Sequence, residues 1–250
     1  MSDNPYAAPQ TDSTPAAGSY HQVTSPYGPY RDLRMLRNII VLLFTVWIAL
    51  RVTIIILNQQ ALGFLSSARK FDQAEDKQIE TINQLQGLNV NLTNAGIGLG
   101  LVTIAIIVFW CIWTNLSTRN AWLFGIADHS IRRGTGEVTP GWAVGSHFIP
   151  ILNLWKPVEA VNLVRNKLGS GKPSGMLLAA WWGFWIMGIL ASQVARLYGR
   201  EVSAFQNLEQ QLRINSVLAG VIILAGISAT LVAIKFTNAQ HRRAKRMGIL

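Results

Sequence analysis

Ala95-Gly96-Ile97-Gly98-Leu99-Gly100-Leu101-Val102-Thr103-Ile104-Ala105-Ile106-Ile107-Val108-Phe109-Trp110-Cys111-Ile112-Trp113-Thr114-Asn115-Leu116 holds no charged residue. As a helix rising ~1.5 Å per residue it covers the ~30 Å hydrocarbon core of a bilayer. In lipid a lone segment must pair every backbone N–H and C=O internally, which leaves the helix as its only form. Three more blocks read the same way: Asn38 to Leu57, Gly175 to Ala195 with Trp181, Trp182 and Trp185, and Ser216 to Phe236. The expected fold is an all-α membrane protein with four transmembrane helices arranged as two hairpins.

Composition agrees. Half of the 250 residues are apolar and only 14% are charged, against about 25% in a soluble domain. The mean hydropathy is positive. Asn38 to Leu57 is too long for the apolar region of a cleaved signal and is followed by Asn58-Gln59-Gln60, so a retained anchor is expected. The single cysteine, Cys111, excludes an intramolecular disulfide and a metal site built from cysteine pairs.

The net charge of +10 is distributed, not clustered. Arg31, Arg34 and Arg37 precede the first block. Arg119, Arg132, Arg133, Lys156, Arg165, Lys167 and Lys172 lie between the second and third, and Lys235, Arg242, Arg243, Lys245 and Arg246 close the chain. These are fifteen of the 22 basic residues. The positive-inside bias then predicts a multi-pass protein of the inner (cytoplasmic) membrane, with the N-terminus, the central link and the C-terminus in the cytoplasm. Anionic headgroups account for these basic residues, and nucleic acid is not needed as a partner.

Four regions follow. Residues 1–30 hold four of the five tyrosines and five of the nine prolines, with no apolar period, and read as a disordered cytoplasmic tail that could dock a protein partner. Residues 31–126 form the first hairpin and 175–250 the second. In the outward links, Phe71, Ala74, Gln78, Ile82, Leu85 and Leu92, and again Phe205, Leu208 and Leu212, recur at helical spacing. They predict that helices two and four extend past the bilayer.

Residues 127–174 form the distinctive region, a cytoplasmic interfacial or re-entrant module. Its apolar run from Trp142 to Trp155 is too short to span and is interrupted by Pro150. Tryptophan at both ends suits the headgroup level. The residues singled out are Pro140, Gly141, Trp142, Gly145, His147, Pro150, Asn153, Trp155 and Pro157.

The stretch Pro140-Gly141-Trp142-Ala143-Val144-Gly145, then Phe148-Ile149-Pro150, then Asn153-Leu154-Trp155-Lys156-Pro157 resembles the bacterial membrane family known as domain of unknown function 4328. The likeness extends over roughly residues 35 to 245. It implies a multi-pass bacterial membrane protein and supplies no activity. Ser146-His147 departs from the family pattern, where aromatic residues are expected.

A second pattern is internal. Trp113-Thr114-Asn115, Arg119, Ala121 and Gly125-Ile126 align with Phe236-Thr237-Asn238, Arg242, Ala244 and Gly248-Ile249 at an offset of 123. The preceding helix starts align at 124. A duplication predicts that helices two and four are parallel copies related about the membrane normal. Gly96/Gly100, Ala179/Gly183 and Ala225/Ala229 are small-residue pairs at i, i+4. They predict close helix packing within the bundle, with a second copy of the chain as the other partner.

Polar candidates are sparse. Asp128, His129 and His147 match no metal-ligand spacing, and no second carboxylate stands in register for acid–base work. Gly134-Thr135-Gly136 lacks the strand-to-helix setting of a phosphate loop. No cofactor, metal or catalytic residue is predicted. Arg51 is the one charge more than two residues inside a span, expected to snorkel outward or to meet Gln193 or Glu201. The expectation is a non-enzymatic scaffold or interaction protein. A small transporter or channel using Arg51, Thr103, Gln193 and Ser228 is the alternative, and a lipid-acting enzyme the second.

Overall fold

The computed structural model describes residues 25–70, 75–127, 138–198 and 204–250. Among them the regular structure is helical: α1 (Arg34–Lys70), α2 (Glu75–Ala127), α3 (Pro140–Gly145), α4 (Lys156–Asn166), α5 (Gly175–Tyr198) and α6 (Ala204–Arg246), with 3₁₀ turns at Ser146–Phe148 and Leu152–Leu154. Among the described residues four stretches are long and apolar enough to cross a membrane: Arg34–Ser67, Asn83–Ala127, Gly175–Val194 and Glu209–Arg246. They lie in α1, α2, α5 and α6.

All four expected blocks are helical, and three run on beyond them. α2 has 53 residues and α6 has 43, so at ~1.5 Å per residue both exceed a ~30 Å core. α1 continues thirteen residues past Leu57. Polar Asn58-Gln59-Gln60 does not end it, because the continuation has something to pack on. Ala61 and Leu65 are buried against Leu88 of α2 and Leu212 of α6.

α1 packs along α2 and α6, and α5 packs along α6. The indole Nε1 of Trp47 in α1 donates to Thr103 Oγ1 in α2 at 2.9 Å, and Phe44 meets Trp110 edge to face. Earlier residues of α1 thus meet later residues of α2, and the two helices are antiparallel. On its other side Trp47 lies against Gly226 of α6. α2 and α6 run the same way: Trp113 Nε1 donates to Thr237 Oγ1 at 3.0 Å, and Gln240 Nε2 donates to Ser117 Oγ at 3.2 Å.

Ser117 and Gln240 are partners in the 123-residue alignment, so two equivalent positions touch each other, as a two-fold axis between parallel copies requires. The equivalent Ala121 and Ala244 are both fully buried. The likeness stops at the end: Gly125 lies inside α2, whereas Gly248 lies past α6 with φ +66°. The hairpin contacts differ too. α1 packs closely on α6, but the corresponding pair, α2 and α5, is held apart by a cavity.

The small-residue expectation divides. Ala225 and Ala229 are buried. Gly96, Gly100 and Gly183 are exposed with open space where a Cβ would stand, and Ala179 is exposed. The close approaches use other glycines: Gly98 beneath Leu50, Gly188 beneath Ile222 and Gly226 beneath Trp47. Helical spacing shows that small residues share a face. It does not show which face a neighbour covers.

At the end of the bundle opposite the Ala61–Leu212 cluster, the last turns of α2 are enclosed by α6, α4 and the lead-in to α1. Trp113, Phe124, Phe236, Leu33, Val161 and Leu168 are fully buried there. The tail read over residues 1–30 lies outside the described residues up to residue 24, but two tyrosines in its last six residues pack. Tyr27 stands edge-on to Trp122 at 5.3 Å and Tyr30 tilts over Phe124 at 6.1 Å. Aromatic residues that looked like tail composition cover the exit of α2.

Candidate functional site: a capped groove between α2 and α5

The module begins with a local rule. Thr139 is extended, and its hydroxyl accepts from the Trp142 N–H, capping α3. Pro140 occupies the first turn, where its missing N–H costs nothing. Pro150 separates the two 3₁₀ turns, and Pro157 sits in the first turn of α4. Four short pieces result where one helix would otherwise form.

Three side chains from the long helices hold these pieces. Asn115 Nδ2 donates to the Pro140 carbonyl at 3.0 Å, and Trp122 Nε1 donates to the Val138 carbonyl at 3.0 Å, both from α2. Trp182 Nε1 of α5 donates to the Leu154 carbonyl at 2.9 Å. The module therefore bridges the gap between α2 and α5. Trp182 stands seven residues into α5, so Leu154 is level with a point ~10 Å along that helix. The module is tucked between the helices, inside their ends.

Its outward surface is apolar. Trp142, Phe148, Ile149, Ile151, Leu154 and Trp155 are all exposed, as is Pro150. Gly141 and Gly145 meet open space. Ala143, Ala160, Val161 and Pro157 are buried on the inner side.

Above the module lies a cavity of about 300 Å³. Its floor is Phe44 and Trp47 of α1 with Ala225, Gly226 and Ala229 of α6. Thr103 to Cys111 of α2 form one wall, and Trp181 to Trp185 of α5 form the other. Trp110 and Trp181 approach to 5.4 Å between ring centres, which is how α2 and α5 meet. His147, Phe148 and Asn153 of the module close the end.

Of the residues singled out by sequence, the structure brings His147 and Asn153 to the cavity, and Trp142, Pro150 and Trp155 to the outer face. His147 Nδ1 is buried without a hydrogen-bond partner among the described residues, and so is Ser146 Oγ. Burial pushes the His147 pKa below its ordinary value, and the Ala143 and Val144 backbone beside it pulls the other way.

Arg51 turns to a neighbour on its own helix, and the expected meeting with Glu201 falls outside the described residues. Its guanidinium lies over the Trp47 ring, 5.0 Å from the centroid, and its Nε is buried without a partner among the described residues. The side chain turns back along its own helix, the direction helical geometry favours. Gln193 is exposed, and Glu201 lies outside the described residues. Thr103 receives the Trp47 N–H and returns its own to the Leu99 carbonyl, and Ser228 bonds back into α6. Asp128, His129 and Gly134 to Gly136 lie outside the described residues.

Sequence reasoning missed a buried polar cluster. Asn120 Nδ2 donates to the Arg31 carbonyl and to Gln240 Oε1 at 2.9 and 3.0 Å, and its Oδ1 accepts from the Arg31 N–H at 2.9 Å. Gln240 goes on to Ser117, and Thr237 receives Trp113. The signal was available: Thr114, Ser117 and Asn120 on α2, and Thr237 and Gln240 on α6, recur at steps of three.

No curated protein and no solved structure matches this chain. A family model does, over residues 72–238, which take in α2, the module, α5 and most of α6 and leave out α1. That stretch is narrower than the 35 to 245 expected from the motif, and it covers well over half of the chain. The protein therefore belongs to the family described as domain of unknown function (DUF4328).

Proposed function

We propose that this is a multi-pass protein of the bacterial cytoplasmic membrane, built as two transmembrane hairpins, that acts as a non-enzymatic interaction protein through its cytoplasmic module. The exposed apolar face of the module carries the reading. Trp142, Phe148, Ile149, Ile151, Leu154 and Trp155 are all exposed, in a protein with four helices apolar enough to need lipid around them. Tryptophans at such a face favour the headgroup region, and Lys156 and Arg165 beside it suit an anionic leaflet. The basic residues before α1, through the module and after α6 favour the cytoplasmic side for all three.

The buried polar residues support a structural role. Asn120, Gln240, Ser117 and Thr237 bond to one another or to backbone, which locks helix ends together and leaves few groups for chemistry. Under this reading residues 1–24 present the docking segment for a protein partner. Gly96 and Gly100, exposed on α2, are where a second copy would pack.

Proteoliposomes test the proposal against its rivals. The purified full chain should leave the lipids chemically unchanged and should leak ions and small solutes no faster than empty vesicles. Steady turnover of lipid would replace it with the enzymatic reading, and saturable uptake with the transporter reading.

A further inference from the structure

We infer that the groove between α2 and α5 is a binding site for one acyl chain of a phospholipid, whose polar linkage rests against His147 and Asn153 of the module. Phe44 and Trp47 of the groove's floor and Trp110 and Trp181 of its walls are buried, while Ile107, Phe148 and Trp185 on its rim are exposed. It is thus a trough open sideways, at the level of the apolar part of four helices that each suit a membrane. The α2 wall from Thr103 to Cys111 is nine residues, or ~12 Å of helix rise from first to last. That is less than half of a ~30 Å hydrocarbon core, the depth of one leaflet. A volume of about 300 Å³ stands at the lower end of the ~300–1,000 Å³ of small-molecule sites. It suits one chain, not two.

The ends of the trough differ. Toward the middle of the helices its lining is aliphatic and aromatic, and the Thr103 hydroxyl there is already bonded to Trp47. Toward the module it meets the His147 ring and the side chain of Asn153, whose amide makes no hydrogen bond among the described residues. An amide left without a partner beside an apolar trough is what a lipid ester or phosphate oxygen can satisfy. A wholly apolar guest could not. The inference needs only that the helices lie in a membrane. It does not depend on which face is cytoplasmic or on the interaction role, so a failure of either would leave it standing.

The full chain is reconstituted in bilayers containing a phosphatidylglycerol with a photoactivatable group midway along one acyl chain. After illumination, labelling should be at least fivefold higher at Trp110–Cys111 and Trp181–Trp185 than at the exposed Leu42 and Leu190, which meet bulk lipid. Native mass spectrometry of the detergent-purified protein should retain one phospholipid per chain. Ala229→Phe, which fills the floor, should cut groove labelling at least fivefold and leave Leu42 and Leu190 unchanged. His147→Leu with Asn153→Leu, at the rim where folding is least at risk, should lower retained phospholipid about tenfold. Groove labelling no higher than at Leu42 in the unaltered protein would overturn the inference. So would retention of free fatty acid in place of phospholipid, or crosslinks from the groove to a second copy of the chain.

Discussion

Asn120→Ala should destabilise the folded protein by ~2–4 kcal/mol, read as a lowered midpoint of thermal or denaturant unfolding in detergent. The side chain is fully buried and uses both amide hydrogens and its oxygen. Its loss strands Gln240 Oε1 in the interior, along with the N–H and C=O of Arg31 at a half-covered site. Each stranded buried group costs ~1–3 kcal/mol, and the Arg31 groups sit at the low end because water can reach them. The lead-in holding Tyr27 and Tyr30 should also become accessible to protease. Asn120→Leu combined with Gln240→Leu should cost less than the two single changes added, since each removes the partner that the other leaves unsatisfied. Strict additivity would mean that the pair is not coupled as drawn.

Gly226→Val should cost ~1–3 kcal/mol or more by overpacking. A Cβ at Gly226 would stand 2.9 Å from Trp47 Cζ3 and 3.3 Å from Cε3. Trp47 cannot easily yield, because its indole N–H is held by Thr103 and Arg51 lies over its ring. The expected order of damage for alanine substitutions is Gly226, then Gly188, then Gly96. A Cβ at Gly188 meets the Ile222 side chain at 3.2 Å, and one at Gly96 meets nothing within 4 Å. Gly96→Ala should be neutral in the monomer or stabilising by a few tenths of a kcal/mol. Loss of stability at Gly96 equal to that at Gly226 would point to a second copy packed on that face.

Much of the architecture could be read from the chain because lipid imposes one-dimensional rules. A run of apolar residues must be helical whatever its neighbours are, so Ala95 to Leu116 could be placed without knowing what packs on it. The Trp142–Trp155 run was recognisable from Pro150 as something other than one continuous helix, and it is divided into short pieces. Pairing is a different matter. Nothing local marks Gly98, Gly188 and Gly226 as contact points over Gly96, Gly100 and Gly183. The choice depends on where Leu50, Ile222 and Trp47 arrive from other helices. The groove was illegible for the same reason. Its floor, walls and cap come from four helices and the module, and the lining residues are scattered from Phe44 to Ala229. Of its polar end, His147 and Asn153 could be named, but not the cavity they close. Arg51 misled because snorkelling rules describe a helix alone in lipid, whereas here Trp47 offers a ring four residues away.

The central claim is that four helices cross the membrane and the module does not. The direct measurement is thiol labelling of single cysteines placed in a Cys111→Ala background at exposed positions. Gln84 and Gln211 report one end of the bundle; Glu159, Ser170 and Leu250 report the other. Thr139, half-buried just before the module, completes the set. With an impermeant reagent on intact spheroplasts, Gln84→Cys and Gln211→Cys should react. Thr139→Cys, Glu159→Cys, Ser170→Cys and Leu250→Cys should react only after the membrane is opened. Reaction at Thr139 and Glu159 from opposite faces would add a fifth crossing through the module and contradict the account.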